Sequence, residues 1–183
     1  MKINETKLAG LFVITNDLMG DSRGSFARFF CDREFSPVIG DRRIVQINHS
    51  FTMAIGALRG LHFQTPPNAE MKMVRCLKGK VFDVVLDLRK ESPTFLQWHA
   101  EILSHESNKV IIIPEGFAHG FQVLEENSEL LYLHTAHYEK NAEAGIRFDD
   151  PAHSINWPLP LSDISERDKN HPYIDKNWQG LIF

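Results

Sequence analysis

One short stretch of the chain gathers several side chains that could act together in chemistry. Between Ala57 and Cys76 it places a cation, a base, an amide and a second cation among apolar residues, namely Arg59, His62, Gln64 and Lys72. An imidazole can accept a proton, and a nearby cation can stabilise the negative charge that the loss of this proton creates. The stretch therefore predicts a site for an anion or for a developing negative charge.

A second dense segment lies further along the chain. Pro114 and Gly116 shape a turn there that presents His119 at the start of the next strand. The spacing Pro-x-Gly-x-x-His resembles the second conserved motif of the cupin superfamily, and the earlier His62 with Glu70 resembles its first motif. Together the two motifs imply a cupin-type jelly roll.

The cupin resemblance raises the question of a metal. Cupins that bind a metal hold it with two histidines and a glutamate of the first motif and a histidine of the second. Gln64 takes the place of the second histidine, and a neutral amide is a poor substitute for imidazole. Lys72 would also put a cation beside Glu70. We therefore expect no metal, and a metal-dependent cupin enzyme is kept as the alternative.

The elements that must position these residues have the pattern of an all-β protein. The 183 residues, of which 43% are hydrophobic, suit one domain spanning residues 1–183. Short apolar runs recur at intervals of about ten residues with turn residues between them, which is typical of a sandwich or barrel. We predict a cupin-type jelly-roll barrel with short peripheral helices. The runs are Leu11 to Ile14, Ser25 to Cys31, Arg43 to Asn48, Met71 to Leu77, Val81 to Leu88, Trp98 to Leu103, Val110 to Ile113, Gly120 to Leu124 and Leu130 to Thr135.

Two neighbouring runs allow a more detailed prediction. Gly79 can take the positive φ of a tight turn, so we expect a hairpin between the runs that end at Leu77 and begin at Val81. Alternation in the second run puts Asp83 and Asp87 on one face. These acids either face solvent, or Asp83 points into the barrel opposite the Lys72 or His62 side chain.

Composition excludes several classes of partner. The formal net charge of -4 and the pI of about 6.1 argue against nucleic acid. The N-terminal residues lack the apolar segment of a signal peptide, and the longest aliphatic run, Val110 to Ile113, is too short to span a membrane. We expect a cytoplasmic protein with Cys31 and Cys76 reduced. The C-terminal segment, residues 160–183, is expected to pack over the barrel or a partner subunit, or else to form a loose tail.

A much closer resemblance runs from about Leu8 to Pro172. Motifs along this whole range, in order, are similar to those of the dTDP-4-dehydrorhamnose 3,5-epimerase family. They are Arg59-Gly-Leu-His-Phe-Gln64, Lys72-x-Val-Arg75, Lys78-Gly-Lys-Val-Phe-Asp-Val-Val85, Asp87-x-Arg89, Ser92-Pro-Thr-Phe95, Pro114-Glu-Gly-Phe-Ala-His-Gly-Phe121, Leu131-Tyr132, Glu143, Gly145-Ile-Arg147, Asp149-Asp-Pro151 and Ser165-Glu-Arg-Asp168.

The resemblance implies an epimerase of a nucleotide-linked 4-keto-6-deoxyhexose, used in deoxysugar and cell-surface polysaccharide synthesis. Such an enzyme removes a proton next to the C4 carbonyl and returns one to the opposite face of the ring. By likeness to the family, His62 is the base and Asp168 orients it. Lys72 stabilises the enolate oxygen, and Tyr132 donates the proton on the other face. No organic cofactor or metal is implied.

The resemblance also implies the substrate contacts and a homodimer. Arg59 is expected at the diphosphate, where a guanidinium can bind phosphate oxygens in bidentate fashion. Arg23 and Phe26 are expected to reach the nucleotide site of the neighbouring subunit, and Tyr138 is expected to stack on the base. The further substrate contacts are Arg28, Gln46, Asn48, His119, Glu143 and Arg167.

Two departures from the family pattern surround the nucleotide. Arg28 reverses the charge of the usual Phe-x-Glu motif, and Leu133-His-Thr135 replaces the usual Lys-Thr-Thr after Tyr132. The nucleotide is therefore left open between dTDP, CDP and another nucleoside diphosphate. Epimerisation at C3, at C5 or at both carbons is equally open, and a sugar-nucleotide binding module that has lost catalysis is a third hypothesis.

Overall fold

The computed structural model describes all 183 residues, and most of its secondary structure is antiparallel β-strand. In chain order the elements are β1 (Lys2–Glu5), β2 (Phe12–Thr15), β3 (Leu18–Asp21), β4 (Gly24–Ala27), α1 (Asp32–Ile39), β5 (Gln46–Thr52), β6 (Leu58–Gln64), β7 (Lys72–Lys78), β8 (Lys80–Asp87), β9 (Trp98–Ser104), β10 (Lys109–Ile113), β11 (Phe117–Val123), β12 (Ser128–His134), β13 (Glu143–Gly145) and α2 (Glu166–Lys169).

Two sheets form the body of the molecule. The six-stranded sheet has the order β1-β2-β10-β7-β12-β5, and the five-stranded sheet has the order β13-β6-β11-β8-β9. The main core cluster combines side chains from both sheets, such as Val74 and Ile111 from the first and Val85 and Phe121 from the second. The sheets therefore pack face to face, and the prediction of an all-β jelly roll is confirmed.

Alternation along β8 separates two cores. Val81 and Val85 join the cluster between the sheets, whereas Val84 and Leu86 join a second cluster on the outer face of the five-stranded sheet. This second cluster is covered by the C-terminal segment, from which Trp178 and other apolar residues pack against it. The strand therefore buries both of its faces, and neither Asp83 nor Asp87 is exposed.

The predicted hairpin at Gly79 is wrong in its pairing. Gly79 has a φ of +72°, as a tight turn requires, and a Cβ there would lie 2.4 Å from the Ser128 hydroxyl oxygen. However, β7 pairs with β10 and β12, while β8 pairs with β11 and β9. The turn thus carries the chain from one sheet to the other, and the close approach of Ser128 leaves no room for a side chain at Gly79.

All nine predicted runs overlap strands, but four strands lie outside them. β6 was not among the runs because Arg59, His62 and Gln64 interrupt its apolar residues. The run that begins at Ser25 ends early, since β4 stops at Ala27. The chain then forms α1, which buries Phe35 and Ile39 against the outer face of the six-stranded sheet.

The β3–β4 hairpin and the outer edge of β5 have no strand partner in the chain. β3 and β4 pair only with each other. β5 is the last strand of its sheet, so one of its edges is open. Apolar side chains are exposed on both features, including Met19 and Phe26 on the hairpin and Ile47 and Phe51 on β5. Exposed apolar groups beside an open strand edge are typical of an interface.

The C-terminal segment is fixed to the barrel at both of its ends. Ile164 bridges to Leu58 at the start of β6, and Leu181 bridges to Arg89. Both cysteines are unpaired, as expected. No helix has the length and apolar character that a membrane crossing would need.

Candidate active site

A cavity of about 640 Å³ opens between the two sheets. Every predicted catalytic residue lines it, and so do most of the predicted substrate contacts. The predicted residues on its walls are Gln46, Asn48, Arg59, His62, Lys72, His119, Tyr132, Tyr138, Glu143, Arg167 and Asp168.

A β-bulge explains how β6 can turn both Arg59 and His62 toward the cavity. Residues three apart on a regular strand face opposite sides. In the pairing with β11, however, His62 lies opposite His119 and Arg59 lies opposite Phe121, so β6 carries one extra residue. Such a bulge re-aims a side chain. The bulge therefore adds Arg59 to the face that already holds His62.

Two glycines let β6 and β11 approach each other closely at this bulge. A Cβ on Gly60, which has a φ of +120°, would lie 2.5 Å from the Cα of Gly120. A Cβ on Gly120 would lie 2.7 Å from the carbonyl oxygen of Arg59. Any larger residue at either position would separate the strands that carry His62 and His119.

His62 is paired with the carboxylate of Asp168. The Nε2 atom of His62 lies 2.8 Å from Oδ1 of Asp168, and the backbone N–H of Gly60 donates to Oδ2 at 3.1 Å. Asp168 lies on α2, whose first turn is capped by Ser165: the Ser165 hydroxyl oxygen accepts a hydrogen bond from the Asp168 N–H. When Nε2 donates to the carboxylate, Nδ1 is left as the basic nitrogen.

The surroundings of Asp168 keep it ionised. Burial alone would raise its pKa, but the hydrogen bond and charge of His62 and the N–H of Gly60 together hold the pKa well below the ordinary carboxyl range. A permanent carboxylate at this position stabilises the imidazolium that forms when His62 accepts a proton. The pair therefore has the properties of an oriented general base.

Tyr132 lies on the opposite wall, on β12 of the six-stranded sheet. Its hydroxyl is 3.3 Å from the Ser50 hydroxyl. Burial raises the pKa of Tyr132 well above its ordinary value, so the phenol keeps its proton at neutral pH. The rings of His119 and His134 flank it, with centroids 6.2 Å and 6.1 Å away. A protonated phenol in this position can donate a proton but is poorly suited to removing one.

Lys72 belongs to a buried ionic cluster with Glu70 and His134, of which sequence reasoning missed only His134. Its ammonium group lies 3.4 Å from one carboxylate oxygen of Glu70, and the other oxygen lies 2.7 Å from Nδ1 of His134. Burial would raise the pKa of Glu70, but the hydrogen bond from His134 and the charge of Lys72 lower it below its ordinary value. Glu70 therefore holds the Lys72 ammonium at the cavity wall.

Asp83 points inward, and its partner differs from both predicted ones. Its Oδ2 atom lies 2.9 Å from Nε2 of His119, rather than beside Lys72 or His62. The five-stranded sheet places these two residues on adjacent strands. The alternative prediction, that both acids face solvent, is also wrong for Asp87, which is buried and accepts hydrogen bonds from Arg89.

The donors that would hold a metal in a cupin are engaged elsewhere. Both atoms of the Gln64 amide bond to the backbone: Nε2 donates to the Asn68 carbonyl and Oε1 accepts from the Glu139 N–H. Glu70 is held by Lys72 and His134, and His119 by Asp83. Glu70 and His119 do not converge with His62 on one point, so the residues do not fit a cupin-type metal centre.

A chain of polar contacts surrounds the mouth of the cavity. The Tyr138 hydroxyl donates to Glu143 at 2.9 Å, and Glu143 also accepts from Arg167 at 2.9 Å. The Tyr138 N–H donates to the Gln46 side chain, which itself contacts Asn48. The Tyr138 ring is about half exposed. It is therefore free to accept a planar ligand at the mouth.

The guanidinium group of Arg59 is held in place by two hydrogen bonds to β5. Its Nε donates to the Thr52 hydroxyl oxygen at 3.0 Å, and its Nη2 donates to the Phe51 carbonyl at 3.2 Å. The other guanidinium hydrogens are left to bind an anion such as a phosphate.

Three predicted contacts do not line the cavity of their own chain. Arg23 and Phe26 lie on the β3–β4 hairpin with exposed side chains, and Arg23 is paired with Asp21 at 2.6 Å. Arg28 forms an ion pair with Glu34 on α1. None of the three reaches the cavity of its own chain.

Sequence reasoning missed Ser50, His134 and His171, although their spacing from predicted site residues could have indicated the first two. Ser50 follows Asn48 by two positions on β5, and His134 follows Tyr132 by two positions on β12, so strand alternation places each pair on one face. His171 follows Asp168 by three positions, just beyond the end of α2, and its Nε2 atom lies 3.6 Å from Oδ1 of Asp168. The His171 ring lies edge-on to His62 with a centroid distance of 5.5 Å. Burial and the nearby charge of His62 lower the pKa of His171.

Comparison with known proteins gives a consistent result. The family model described as dTDP-4-dehydrorhamnose 3,5-epimerase matches residues 5–176. An epimerase of this name from Salmonella typhimurium is 42% identical over 178 residues, which is 96% of this chain and 97% of that protein.

Solved structures agree over the whole fold. The Legionella pneumophila enzyme dTDP-6-deoxy-D-glucose-3,5-epimerase, in complex with dTDP-4-keto-L-rhamnose, is 36% identical with a TM-score of 0.92, covering 100% of this chain and 98% of that one. A dTDP-4-dehydrorhamnose 3,5-epimerase from Bacillus anthracis, with TDP and pyrophosphate bound, is 33% identical with a TM-score of 0.91, covering 94% and 99%.

Proposed function

The chain belongs to the dTDP-4-dehydrorhamnose 3,5-epimerase family, and we propose that it epimerises a dTDP-linked 4-keto-6-deoxyhexose in deoxysugar synthesis. The observation that carries this proposal is the placement of a base and an acid on opposite walls. His62, oriented by Asp168, is on the five-stranded sheet, and the protonated Tyr132 is on the six-stranded sheet. Inversion needs proton removal from one face and return to the other.

The reaction proceeds through an enolate. Nδ1 of His62 takes the proton from a carbon next to the C4 carbonyl, and Asp168 stabilises the imidazolium formed. The electron pair of the broken C–H bond moves onto the C4 oxygen, where the Lys72 ammonium stabilises the charge. Tyr132 then donates its proton to the same carbon from the opposite face. His62 and Tyr132 return to their starting states by proton exchange with solvent.

The cavity mouth suits the nucleotide. Arg59 offers its remaining guanidinium hydrogens to the diphosphate, and the exposed Tyr138 ring offers a stacking surface for the base. Gln46, Asn48 and Glu143 offer polar side chains to the nucleotide in this proposal, and Arg167 lies beside Glu143. His119, held by Asp83 next to Tyr132, contacts the sugar in this proposal.

We infer that two copies of the chain share their sites as a homodimer. The open edge of β5 and the exposed apolar residues of the β3–β4 hairpin support such an interface. The hairpin of one copy would bring Arg23 and Phe26 to the cavity of the other copy. Arg28 is offset by Glu34 within its own chain, so its reversed charge does not argue against a dTDP substrate.

Residues 1–183 act as one domain, which the bridges of the C-terminal segment to the barrel support. A nucleotide-sugar substrate also supports a cytoplasmic location.

Deuterium exchange tests the function directly. The protein is incubated with dTDP- and CDP-linked 4-keto-6-deoxyglucose in deuterated water, and deuterium at C3 and C5 is followed by NMR. We expect exchange at both carbons with the dTDP sugar and much slower exchange with the CDP sugar. Exchange at one carbon only would retain the mechanism and change the product. No exchange with either substrate would refute the proposal.

A further inference from the structure

His171 is an imidazole that the proposed reaction does not use. Its Nε2 atom is shielded from solvent and has no hydrogen-bond partner. This atom lies 3.6 Å from Oδ1 of Asp168, too far for a hydrogen bond, and the ring meets His62 edge-on at an interplanar angle of 75°. A buried ring nitrogen without a partner is unusual and calls for an explanation.

The backbone beside His62 leaves space for this second imidazole. Gly145 pairs with His62 in the register of β13 and β6. A Cβ on Gly145 would lie 2.3 Å from Nε2 of His171. Only a glycine at this position lets the His171 ring lie against His62, so the sequence provides the room that brings the two rings together.

We propose that His62, Asp168 and His171 form a binding site for Zn²⁺ or a similar borderline divalent cation, and that the bound cation blocks the catalytic base. The three side chains can present one ligand atom each, all within 4.8 Å of one another. Two imidazoles and a carboxylate are a common protein ligand set for zinc, with the fourth position open to water. Ligand atoms around tetrahedral zinc lie about 3.3 Å apart, so side-chain shifts of up to about 1.5 Å complete the site.

Arg167 occupies the approach to this site and must move. Its Nη2 atom lies 3.2 Å from Nε2 of His62, and its Nε lies 3.3 Å from Oδ1 of Asp168. The side chain is 55% exposed, and its Nη1 atom is already held by Glu143 at 2.9 Å. The guanidinium can therefore turn outward about its contact with Glu143, which keeps its charge paired.

Binding changes the tautomer of His62 without changing its charge. In the free protein the Nε2 hydrogen of His62 is donated to Asp168, and Nδ1 is the basic nitrogen. A cation takes the Nε2 lone pair, so the proton moves through solvent to Nδ1. The nitrogen that would accept the substrate proton is then occupied. Inhibition therefore follows from binding on the proposed mechanism, whereas binding itself does not depend on that mechanism.

Direct binding measurements test the site. The chain, free of any polyhistidine tag and treated with a chelator, is titrated with Zn²⁺ by calorimetry and with Co²⁺ by visible absorption. We expect one tight site per chain. His171→Phe and His171→Gln should weaken its affinity by at least about ten-fold, since even outer-shell changes cost about 10–100-fold. His105→Gln, which removes an exposed imidazole, should bind like the parent chain.

Activity gives the second measurement. Zn²⁺ should inhibit deuterium exchange at the concentration at which it binds, and excess chelator should restore it. Each variant is compared with its own rate without zinc, and His171→Gln should need at least about ten-fold more zinc for the same fractional inhibition.

Two results would overturn the proposal: absence of tight binding, or equally tight binding by the His171 variants. Circular dichroism verifies that the variants fold. If both unfold, imidazole nitrogen NMR of the parent chain decides, because zinc must shift the His62 and His171 signals together. If the chain lacks epimerase activity, the binding measurements still show whether the zinc site exists. Failure of the proposed function can therefore be distinguished from failure of the proposed zinc site.

Discussion

Nε2 of His62 lies 2.8 Å from Oδ1 of Asp168, although 106 residues separate them in the chain. The contact joins a strand of the five-stranded sheet to a single turn of helix in the C-terminal segment. The backbone N–H of Gly60 holds the second carboxylate oxygen. The base is therefore oriented from two sides, by the bulged strand that carries it and by the segment that crosses over it.

Removal of the base should abolish proton exchange. We expect His62→Ala to lower the rate of deuterium incorporation at C3 and C5 by about 10²–10⁴-fold, because the substitution removes the imidazole that Asp168 orients as the base. NMR of the substrate in deuterated water measures this rate. The exposed His105→Ala serves as the control and should exchange at the parent rate. A normal rate in His62→Ala would show that another residue is the base.

Removal of the orienting charge should affect turnover more than binding. Asp168→Asn keeps the shape of the side chain but cannot stabilise the imidazolium, so kcat should fall by about 10²–10⁴-fold. The affinity for dTDP, measured by calorimetry, should change little. Glu166→Gln alters an exposed acid on the same helix and should leave kcat unchanged. A fall in dTDP affinity as large as the fall in kcat would contradict the orienting role.

Loss of the phenol should separate proton removal from proton return. We expect Tyr132→Phe to retain deuterium exchange at C3 and C5 while formation of the inverted product falls by at least about 10²-fold. NMR of exchange and chromatography of the product measure the two steps on the same sample. The exposed Tyr173→Phe should behave like the parent chain. Exchange lost as fully as in His62→Ala would refute the donor assignment.

Shared sites should allow two inactive variants to complement each other. Arg23→Ala lacks the hairpin contact and His62→Ala lacks the base, so each alone should be nearly inactive. After the two are mixed and allowed to exchange subunits, half of the dimers are mixed, and each mixed dimer has one intact site. Activity should therefore rise to about one quarter of the parent value. Mixtures that stay inactive, despite subunit exchange shown by mass spectrometry, would argue that each chain builds its own site.

Acid should weaken the fold partly through Asp87. Burial would raise the pKa of Asp87, but hydrogen bonds from Arg89, Ser92 and Thr94 lower it in the folded chain. The unfolded value is about 3.9, so the stabilisation is fully present above about pH 5 and is lost as the pH falls through the lowered folded value. Asp87→Asn should destabilise the chain by about 3 kcal/mol at pH 7, because it leaves Arg89 without its carboxylate.

Urea unfolding at several pH values measures this effect. The difference in unfolding free energy between parent and Asp87→Asn should shrink as the pH falls below about 4. Asp41→Asn changes an exposed acid and should show little difference at any pH. A difference for Asp87→Asn that is constant from pH 7 to pH 3 would show that ionisation of Asp87 does not stabilise the fold.

Alternation of apolar residues and the order of the motifs were enough to predict the fold class and the face of some side chains. The all-β class followed from the spacing of apolar runs, and Asp83 could be placed on the face opposite Val84 by its position in the strand. The hairpin at Gly79 could not be distinguished from a corner between sheets, because both need the same positive φ. The contact of His134 with Glu70 and that of His171 with His62 depend on which strands and turns become neighbours. That information lies in the long-range pairing and not in local pattern.

The strand order also determines when the site can form. In the six-stranded sheet, β2 pairs with β10 and β7 pairs with β12, so segments distant in the chain must meet before either sheet is complete. Proteins dominated by such non-local pairing fold slowly, in about milliseconds to seconds. Because Asp168 follows all thirteen strands in the chain, a growing polypeptide has nothing to orient His62 until the strands of both sheets have been synthesised. The capacity for proton transfer therefore emerges only after both sheets and α2 are in place.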